Sequence, residues 1–543
     1  MDVLPDWLIP LPDAETMRSI DRWAIEQWGV PSLDLMERAG AGVARAVERI
    51  APDGPVGVVC GKGNNGGDGL VVARLLRDAG REVAVVCVAP PEELSGDARE
   101  NFDRLQGDAP LTLDAGEQAE LGEQVASLFD RAAVIVDALL GTGFQGEPRG
   151  VVAKAIDAVN AAGAPVVSVD VPSGVDASTG VVCGRAVRAA ATVTFHAAKL
   201  GLWIRPGKAH VGDLETIDIG IPRGAPYSAT VGLIDRSVLD SLPRREASST
   251  KFTSGHVLVV GGSRGLTGAP RMAAHSSMRA GAGYVTACVP ASLQGILASG
   301  GPPEMMTRGL PDDEGGLSPE GISSVLGETE RAGALALGPG LGRSEGALAF
   351  ARALARKAAV ALVLDADGLN AHAGYLGELA GREAPTVLTP HAGELGRLLE
   401  LDSSEVERER LRHTRAAAEL AGGVVVLKGD DTLIADPTGR VAVSPGASPA
   451  LATAGSGDVL TGVIAALLAQ GLDAFTAAAA GVFLHVAAGR EAARRQGAAE
   501  GVVASDVIAA LPGARAGRGM SAGRDRGDGL QPRGGDSEAV REP

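Results

Sequence analysis

Short apolar runs alternate with amphipathic ones along most of this chain. Val56–Cys60, Val83–Val88, Val134–Asp137 and Val166–Asp170 are apolar, β-branched and bounded by Gly, Pro or Asp, as buried strands are. Leu70–Ala79 and Gly150–Ala162 lie between them with helical spacing, and further strands are predicted at Thr192–Phe195 and Leu214–Asp218. Upstream, residues 14–50 read as helical. Asp13 is placed to cap them, and Leu33, Leu35, Met36, Ala39 and Val43 form an apolar face. Residues 223–254 read as an irregular bridge. The pattern then restarts with strands at Val257–Val260, Tyr284–Val289, Leu335–Leu337, Val360–Asp365, Thr386–Leu388 and Val424–Leu427. Helices are expected near 270–281, 344–357, 403–421, 457–470 and 473–490. This alternation predicts α/β architecture with a parallel sheet in each half. From about Gly513 apolar residues nearly vanish, which predicts a disordered tail. The expected domains are 1–222, 223–512 and the tail 513–543.

At 543 residues the chain is too long for one core. A hydrophobic fraction of 45% suffices for packed cores, whereas 3% aromatics leave few stacking surfaces for single-stranded nucleic acid. A net charge of −17 argues against a nucleic-acid or anionic-membrane partner. Cys60, Cys87, Cys183 and Cys288 are widely spaced without a C-x-x-C pair, which suggests reduced thiols and neither disulfides nor zinc. With no signal-like start and no 18-residue uncharged apolar run, a soluble cytoplasmic protein is expected.

In parallel sheets ligands bind at the carboxyl ends of strands, and those positions carry the unusual residues. Gly61-Lys62-Gly63-Asn64-Asn65-Gly66-Gly67-Asp68-Gly69 follows a strand and opens a helix. It satisfies G-x-G-x-x-G. The next strand, however, lacks a terminal acid for a ribose, and three extra polar side chains crowd the loop. Asp137 and Asp170 each end an apolar strand, an expensive position unless paired or coordinated. With the asparagines they offer oxygen ligands suited to a hard cation; loop capping is the alternative for each.

In the second half, Gly261-Gly-Ser263-Arg-Gly265 spells G-x-S-x-G, but further glycines and Pro270 precede the helix, so a ligand-binding loop fits better than a nucleophile elbow. Gly338-Pro-Gly340-Leu-Gly342, Asp365-Ala-Asp367-Gly-Leu-Asn370 and Leu388-Thr-Pro-His391-Ala-Gly-Glu394 follow successive strands. Lys428-Gly429-Asp430-Asp431-Thr432 forms a tight turn, either a nucleotide contact or a plain hairpin. Thr453-Ala-Gly-Ser-Gly457-Asp458 runs into an apolar helix. Exposed amides there suit a phosphate, and Asp458 suits deprotonation of an attacking hydroxyl.

GNNGGDG, DALLGTG and SVDVPSGVDASTG resemble the NAD(P)H-hydrate epimerase family over about 14–220. GGSRGLTGAP, GPGLG, DADGLN, LTPHAGE, VLKGDDT and ATAGSGDVLTG resemble the ADP/ATP-dependent NAD(P)H-hydrate dehydratases over about 230–511. The resemblance implies two three-layer αβα domains, Rossmann-like then ribokinase-like. It implies a bifunctional enzyme that interconverts the R and S hydrates, NADHX and NADPHX, and dehydrates the S form with ADP or ATP, ADP being preferred. It further implies that Asn64, Asn65, Gly66, Gly67 and Asp68, with Gly141, Thr142, Gly143, Phe144, Gln145, Gly146 and Glu147, line the first substrate site. Asn65, Asp137 and Ser173 would hold potassium, and Asp170 would do acid–base work. In the second domain Ala269, Gly340 and His391 would contact substrate, and Lys428, Gly429, Asp430, Asp431, Thr432 and Gly457 the nucleotide, which brings magnesium. Asp458 would be catalytic. Lys62 replaces a usual proline and Ala454 a usual glycine; a positive φ at Ala454 would strain the loop. A small-molecule kinase fused to a dinucleotide-binding module is the alternative, and homo-oligomerisation is left open.

Overall fold

The computed structural model describes residues 4–113 and 129–517. It divides into two compact units. One contains Pro12–Leu202 and Pro206–Tyr227; the other contains the described segment ending at Leu11, Trp203–Arg205, and residues 228–517.

Among the described residues the first unit carries a seven-stranded parallel sheet. Its order is Leu111–Thr112, Val83–Cys87, Val56–Cys60, Val134–Ala138, Val166–Val169, Ala191–Phe195 and Asp213–Ile217. Side chains alternate between its faces. Val58, Val85, Val134 and Val136 enter one core, while Val59, Val86 and Ile135 enter another. Both faces are therefore covered, and the strands are continuous apolar runs for that reason. The strand order reverses between Val56–Cys60 and Val134–Ala138, which opens a crevice at their carboxyl ends. The expected helical stretch 14–50 is two helices, Ala14–Trp28 and Ser32–Ile50. Gly29 in the left-handed region (φ 65°) ends the first and Pro31 precedes the second. Asp13 caps the first, its Oδ1 accepting from Thr16 N at 2.8 Å.

The second unit holds an eleven-stranded sheet among the described residues. Its central part is parallel, from Met306–Leu310 through Tyr284–Pro290, His256–Val260, Ala334–Leu337, Ala361–Leu364 and Thr386–Leu388 to Val424–Leu427. The antiparallel strands Leu433–Ala435 and Val441–Val443 extend it. The order reverses between His256–Val260 and Ala334–Leu337, again opening a crevice. Four features depart from the sequence reading. The bridge 223–254 contributes the strand Val231–Ile234, which pairs with both Val441–Val443 and Leu8–Pro10. Leu8–Pro10 thus joins this sheet, although residues 1–222 were expected to form one domain; three residues ending in a proline are too few for an alternation pattern. The helix expected at 403–421 breaks at Glu409 (φ −127°, ψ 50°) into Ser403–Arg408 and Arg410–Ala421. The final helix, Ala504–Arg515, runs past Gly513, because its apolar face at Val507, Ile508, Leu511 and Ala514 is buried. The rest of the expected disordered tail, 518–543, lies outside the described residues.

Candidate functional site

Each unit presents a site at the carboxyl ends of its parallel strands. In the first, a cavity of about 720 Å³ lies between Gly61–Asp68 and Leu139–Phe144. The helix Asn64–Asp78 begins at this crevice, with Gly66 packed against the Gly61 carbonyl so closely that a Cβ would come within 1.9 Å of it. Asn64, Asn65, Asp68, Gly141, Thr142, Gly143, Phe144 and Asp170 all face the cavity. Gly66, Gly67, Gln145, Gly146 and Glu147 do not line it; Glu147 lies beside Gly184, whose added Cβ would be 2.9 Å from the carboxylate.

Asp170 sits on the floor, 7% exposed, in the left-handed backbone region (φ 65°). A non-glycine residue there is strained and needs its surroundings to hold it. Those surroundings are Val193 O, which accepts from Asp170 N at 2.8 Å, and two side chains. Lys199 Nζ donates to Asp170 Oδ1 at 2.5 Å and Thr194 Oγ1 donates to the same oxygen at 3.0 Å. Lys199 is only 1% exposed and also donates to Phe195 O at 2.9 Å. A buried ammonium held this way is a fixed positive charge under the cavity. Two more carboxyls share the field. Burial, then Asp170 and Asp21, push Asp68 well above the usual carboxylate range. Burial also raises Asp21 to about 6, with Lys199 opposing and Asp170 reinforcing the rise.

Asn65, Asp137 and Ser173 meet around Leu140. Asn65 Nδ2 donates to Leu140 O at 2.9 Å, and Ser173 Oγ accepts from Leu140 N at 2.9 Å and donates to Asp137 Oδ1 at 2.5 Å. Asp137 is fully buried and its Oδ2 accepts from Ser168 Oγ at 2.8 Å and Ser173 N at 2.9 Å. Burial raises its pKa even against those bonds.

In the second unit the helix Ser456–Ala469 starts at Gly455 (φ 88°), with Asp458 in its first turn. Ala454 is not among the non-glycine residues with positive φ; the loop puts that conformation one residue later, at a glycine. Burial, then the charge of Asp365, lift Asp458 to about 7, with Lys428 pulling the other way. Lys428 Nζ donates to Asp365 Oδ1 at 3.0 Å and lies 3.7 Å from Glu394 Oε2. Burial by itself would lower the Lys428 pKa, but Asp365 and Glu394 outweigh it and raise it. A Cβ at Gly457 would stand 3.5 Å from Lys428 Nζ and 3.9 Å from Asp365 Oδ2. Gly457, Lys428, Asp365 and Asp458 therefore form one polar cluster at a helix N-terminus. Gly338 (φ 122°) makes room for Asp365, since a Cβ there would be 1.9 Å from the Asp365 carbonyl.

His391 is the N-cap of Ala392–Leu399. Its Nδ1 accepts from Gly393 N at 3.0 Å and Glu394 N at 3.3 Å, and Glu394 Oε2 accepts from His391 N at 2.9 Å. The ring is 54% exposed. Ala269 and Gly340 adjoin, a Cβ on Gly340 falling 3.1 Å from that of Ala269. In the 428–432 turn, Thr432 Oγ1 donates to Gly429 O at 2.7 Å. Asp431 is fully buried against Arg410, whose Nε is 3.0 Å from Oδ2 and whose Nη2 is 2.9 Å from Oδ1; its carboxylate points inward. Asp430 Oδ1 accepts from Arg205 Nε at 2.5 Å. Lys199 and Asp21 were not singled out in the sequence, and Asp365 was noted at a strand end without a role of its own. Lys199 lies in His-Ala-Ala-Lys-Leu-Gly-Leu, which has no periodicity; an isolated lysine in a loop of apolar and small residues was its one signal.

A cavity at the strand reversal of the first unit and a cluster of buried ionisable groups at the start of Ser456–Ala469 in the second define a two-domain α/β enzyme. Residues 257–512 match the model of the NAD(P)H-hydrate dehydratase family and residues 32–201 that of the YjeF-related protein N-terminus. A bifunctional NAD(P)H-hydrate repair enzyme of Moorella thermoacetica is 43% identical over 92% of this chain and 96% of its own length. One of Salinibacter ruber is 43% identical over 93% and 95%. An ADP/ATP-dependent NAD(P)H-hydrate dehydratase of Bacillus subtilis, co-crystallised with ATP and magnesium, is 30% identical and covers 51% of this chain and 94% of its own (TM-score 0.44). The chain belongs to the family of bifunctional NAD(P)H-hydrate repair enzymes. No helix among the described residues is long and apolar enough to cross a membrane.

Proposed function

We propose that the two sites act in sequence on hydrated nicotinamide cofactors, NADHX and NADPHX. The first unit interconverts the R and S hydrates, and the second dehydrates the S form using ADP, or ATP, with AMP or ADP and phosphate as products. The observation that carries this reading is Asp458, a carboxyl raised to about 7 beside Lys428 and at a helix N-terminus.

The C6 hydroxyl of the hydrate is a poor leaving group. Asp458, as carboxylate, takes its proton while the oxygen attacks the terminal phosphoryl group of the nucleotide. The amides at 455–458 and the Lys428 ammonium sit where charge builds on the phosphoryl oxygens. The nucleotide leaves one phosphate shorter. The ring nitrogen lone pair then expels phosphate from C6, and loss of the C5 proton restores the double bond. Magnesium, carried on the nucleotide phosphates, would neutralise part of their charge. Lys428, Gly429, Thr432 and Gly457 serve the nucleotide in this reading, and Ala269, Gly340 and the exposed edge of His391 the hydrated dinucleotide.

In the first unit, C6 inverts if its hydroxyl leaves as water and water returns from the other face. One group must give a proton and another take one. Asp68, whose burial favours the protonated form, suits the donor; Asp170, oriented by Lys199 and Thr194, suits the acceptor. Asn65 Oδ1, Asp137, Ser173 Oγ and the Leu140 carbonyl form an all-oxygen donor set, which suits potassium better than a softer ion. That ion would supply positive charge near the substrate phosphates.

The test is to incubate the chain with mixed hydrates, magnesium and ADP, and to follow recovery of reduced-nicotinamide absorbance with phosphate release. Stable phosphorylated product in place of reduced cofactor would overturn the dehydratase reading in favour of a kinase.

A further inference from the structure

The helical stretch after Leu399 brings together three potential metal ligands that neither site uses. Glu405 lies on Ser403–Arg408, Glu409 at the break, and His413 on Arg410–Ala421. Residues four apart share a helix face, and this face survives the break: Glu409 N donates to Glu405 O, and His413 N to Glu409 O, each at 3.1 Å. One ligand atom from each side chain lies within 4.8 Å of the other two.

Two carboxylates on a helix indicate nothing by themselves. The second observation is His413. It is 7% exposed, and its Nε2 is buried without a hydrogen-bond partner, 3.7 Å from Glu405 Oε1. A buried imidazole nitrogen left unpaired is costly and demands an explanation such as an ion. The carboxylates, by contrast, are held only from outside. Arg408 contacts Glu405, and Arg412 donates to Glu409 Oε2 at 2.7 Å, with the arginine side chains 53% and 72% exposed. Both guanidinium groups can turn into water.

We propose that Glu405, Glu409 and His413 bind a divalent transition metal of the zinc class. One imidazole and two carboxylates are too nitrogen-rich for a calcium or magnesium cage and lack the thiolates of a soft-metal site. Three protein ligands with water in the fourth position match an open zinc site. The metal would fix the helix break at Glu409. The next residue, Arg410, reaches Asp431 and donates to Lys428 O at 3.3 Å. Metal binding is thereby linked to the 428–432 turn. That link rests on reading the turn as the nucleotide subsite; the site itself does not.

The experiment is a calorimetric titration of zinc alone into the chelator-treated full chain. One equivalent is expected that weakens about tenfold or more in Glu409→Gln and in His413→Leu. Glu409 is partly exposed, so Glu409→Gln decides if His413→Leu fails to fold. No such equivalent, or undiminished affinity in the folded variants, overturns the proposal. Affinity for ADP is then measured with and without saturating zinc. A severalfold change confined to the parent chain supports the link to the turn, and equal affinities overturn that link while the zinc titration stands separately.

Discussion

Lys428 and Asp365 form an ion pair of 3.0 Å, and both partners act on the ionisation of a third group, Asp458, which burial raises first. The two partners act on it in opposite directions.

Burial, then Asp365, raise Asp458 to about 7, and Lys428 opposes the rise. A base must be deprotonated to act, so kcat/KM for dehydration should rise with pH through about 7. Asp365→Asn removes the negative neighbour and should move that midpoint below 7. Lys428→Met should move it above 7. Asp458→Asn should lose dehydration by about a hundredfold or more while epimerisation continues. A pH profile of phosphate release checks all three, and an Asp365→Asn midpoint that moved upward would contradict the electrostatic account.

Epimerisation should depend on Asp170 and on its holder. Asp170→Ala should abolish it and spare dehydration of pure S hydrate. Lys199→Met should leave a slow epimerase, because the strained Asp170 loses the ammonium at 2.5 Å. Chromatographic separation of the epimers over time gives both rates, and unchanged equilibration in Asp170→Ala would remove it from the mechanism.

Asp21 bears on stability. Its folded pKa, about 6, exceeds the ordinary aspartate value of 3.8. Between those values the native state binds more protons than the unfolded one, so stability falls as pH rises through that window. At pH 7 the cost is about 1–3 kcal/mol. Asp21→Asn should therefore raise the midpoint of thermal unfolding at pH 7–8 and change it little near pH 3.5. An equal gain at both pH values would refute the linkage.

His391 combines an N-cap with an exposed ring edge. His391→Ala should cost about 0.5–2 kcal/mol through the cap. His391→Asn keeps a capping side chain, so stability should recover while KM for the hydrate stays raised. If His391→Asn restores KM as well, the ring has no substrate contact.

The strands of both sheet centres were legible because they are buried on both faces, which leaves short unbroken runs such as Val56–Cys60 and Val424–Leu427. Met306–Leu310 was not, since an edge strand with Thr307, Arg308 and Gly309 has no such run. Glycine loops at strand ends pointed to both crevices. Side chains that reach a site from elsewhere gave no periodic or motif signal. Asp21 looks like one more polar residue on an amphipathic helix, and Lys199 like a loop lysine. The division of labour at 428–432 was equally hidden, because only the packed position of Arg410 shows that Asp431 faces inward.

The pairing of Leu8 with Ile234 has a consequence for biosynthesis. The strand Leu8–Pro10 is translated before the entire parallel-sheet unit and its partner only after that unit. Domains fold as they emerge, N-terminal first, so this strand waits as an unpaired edge while the intervening unit folds. A cut at residue 222 strands it with the wrong half, whereas expression from Pro12 to Tyr227 should release the epimerase unit without an orphaned edge.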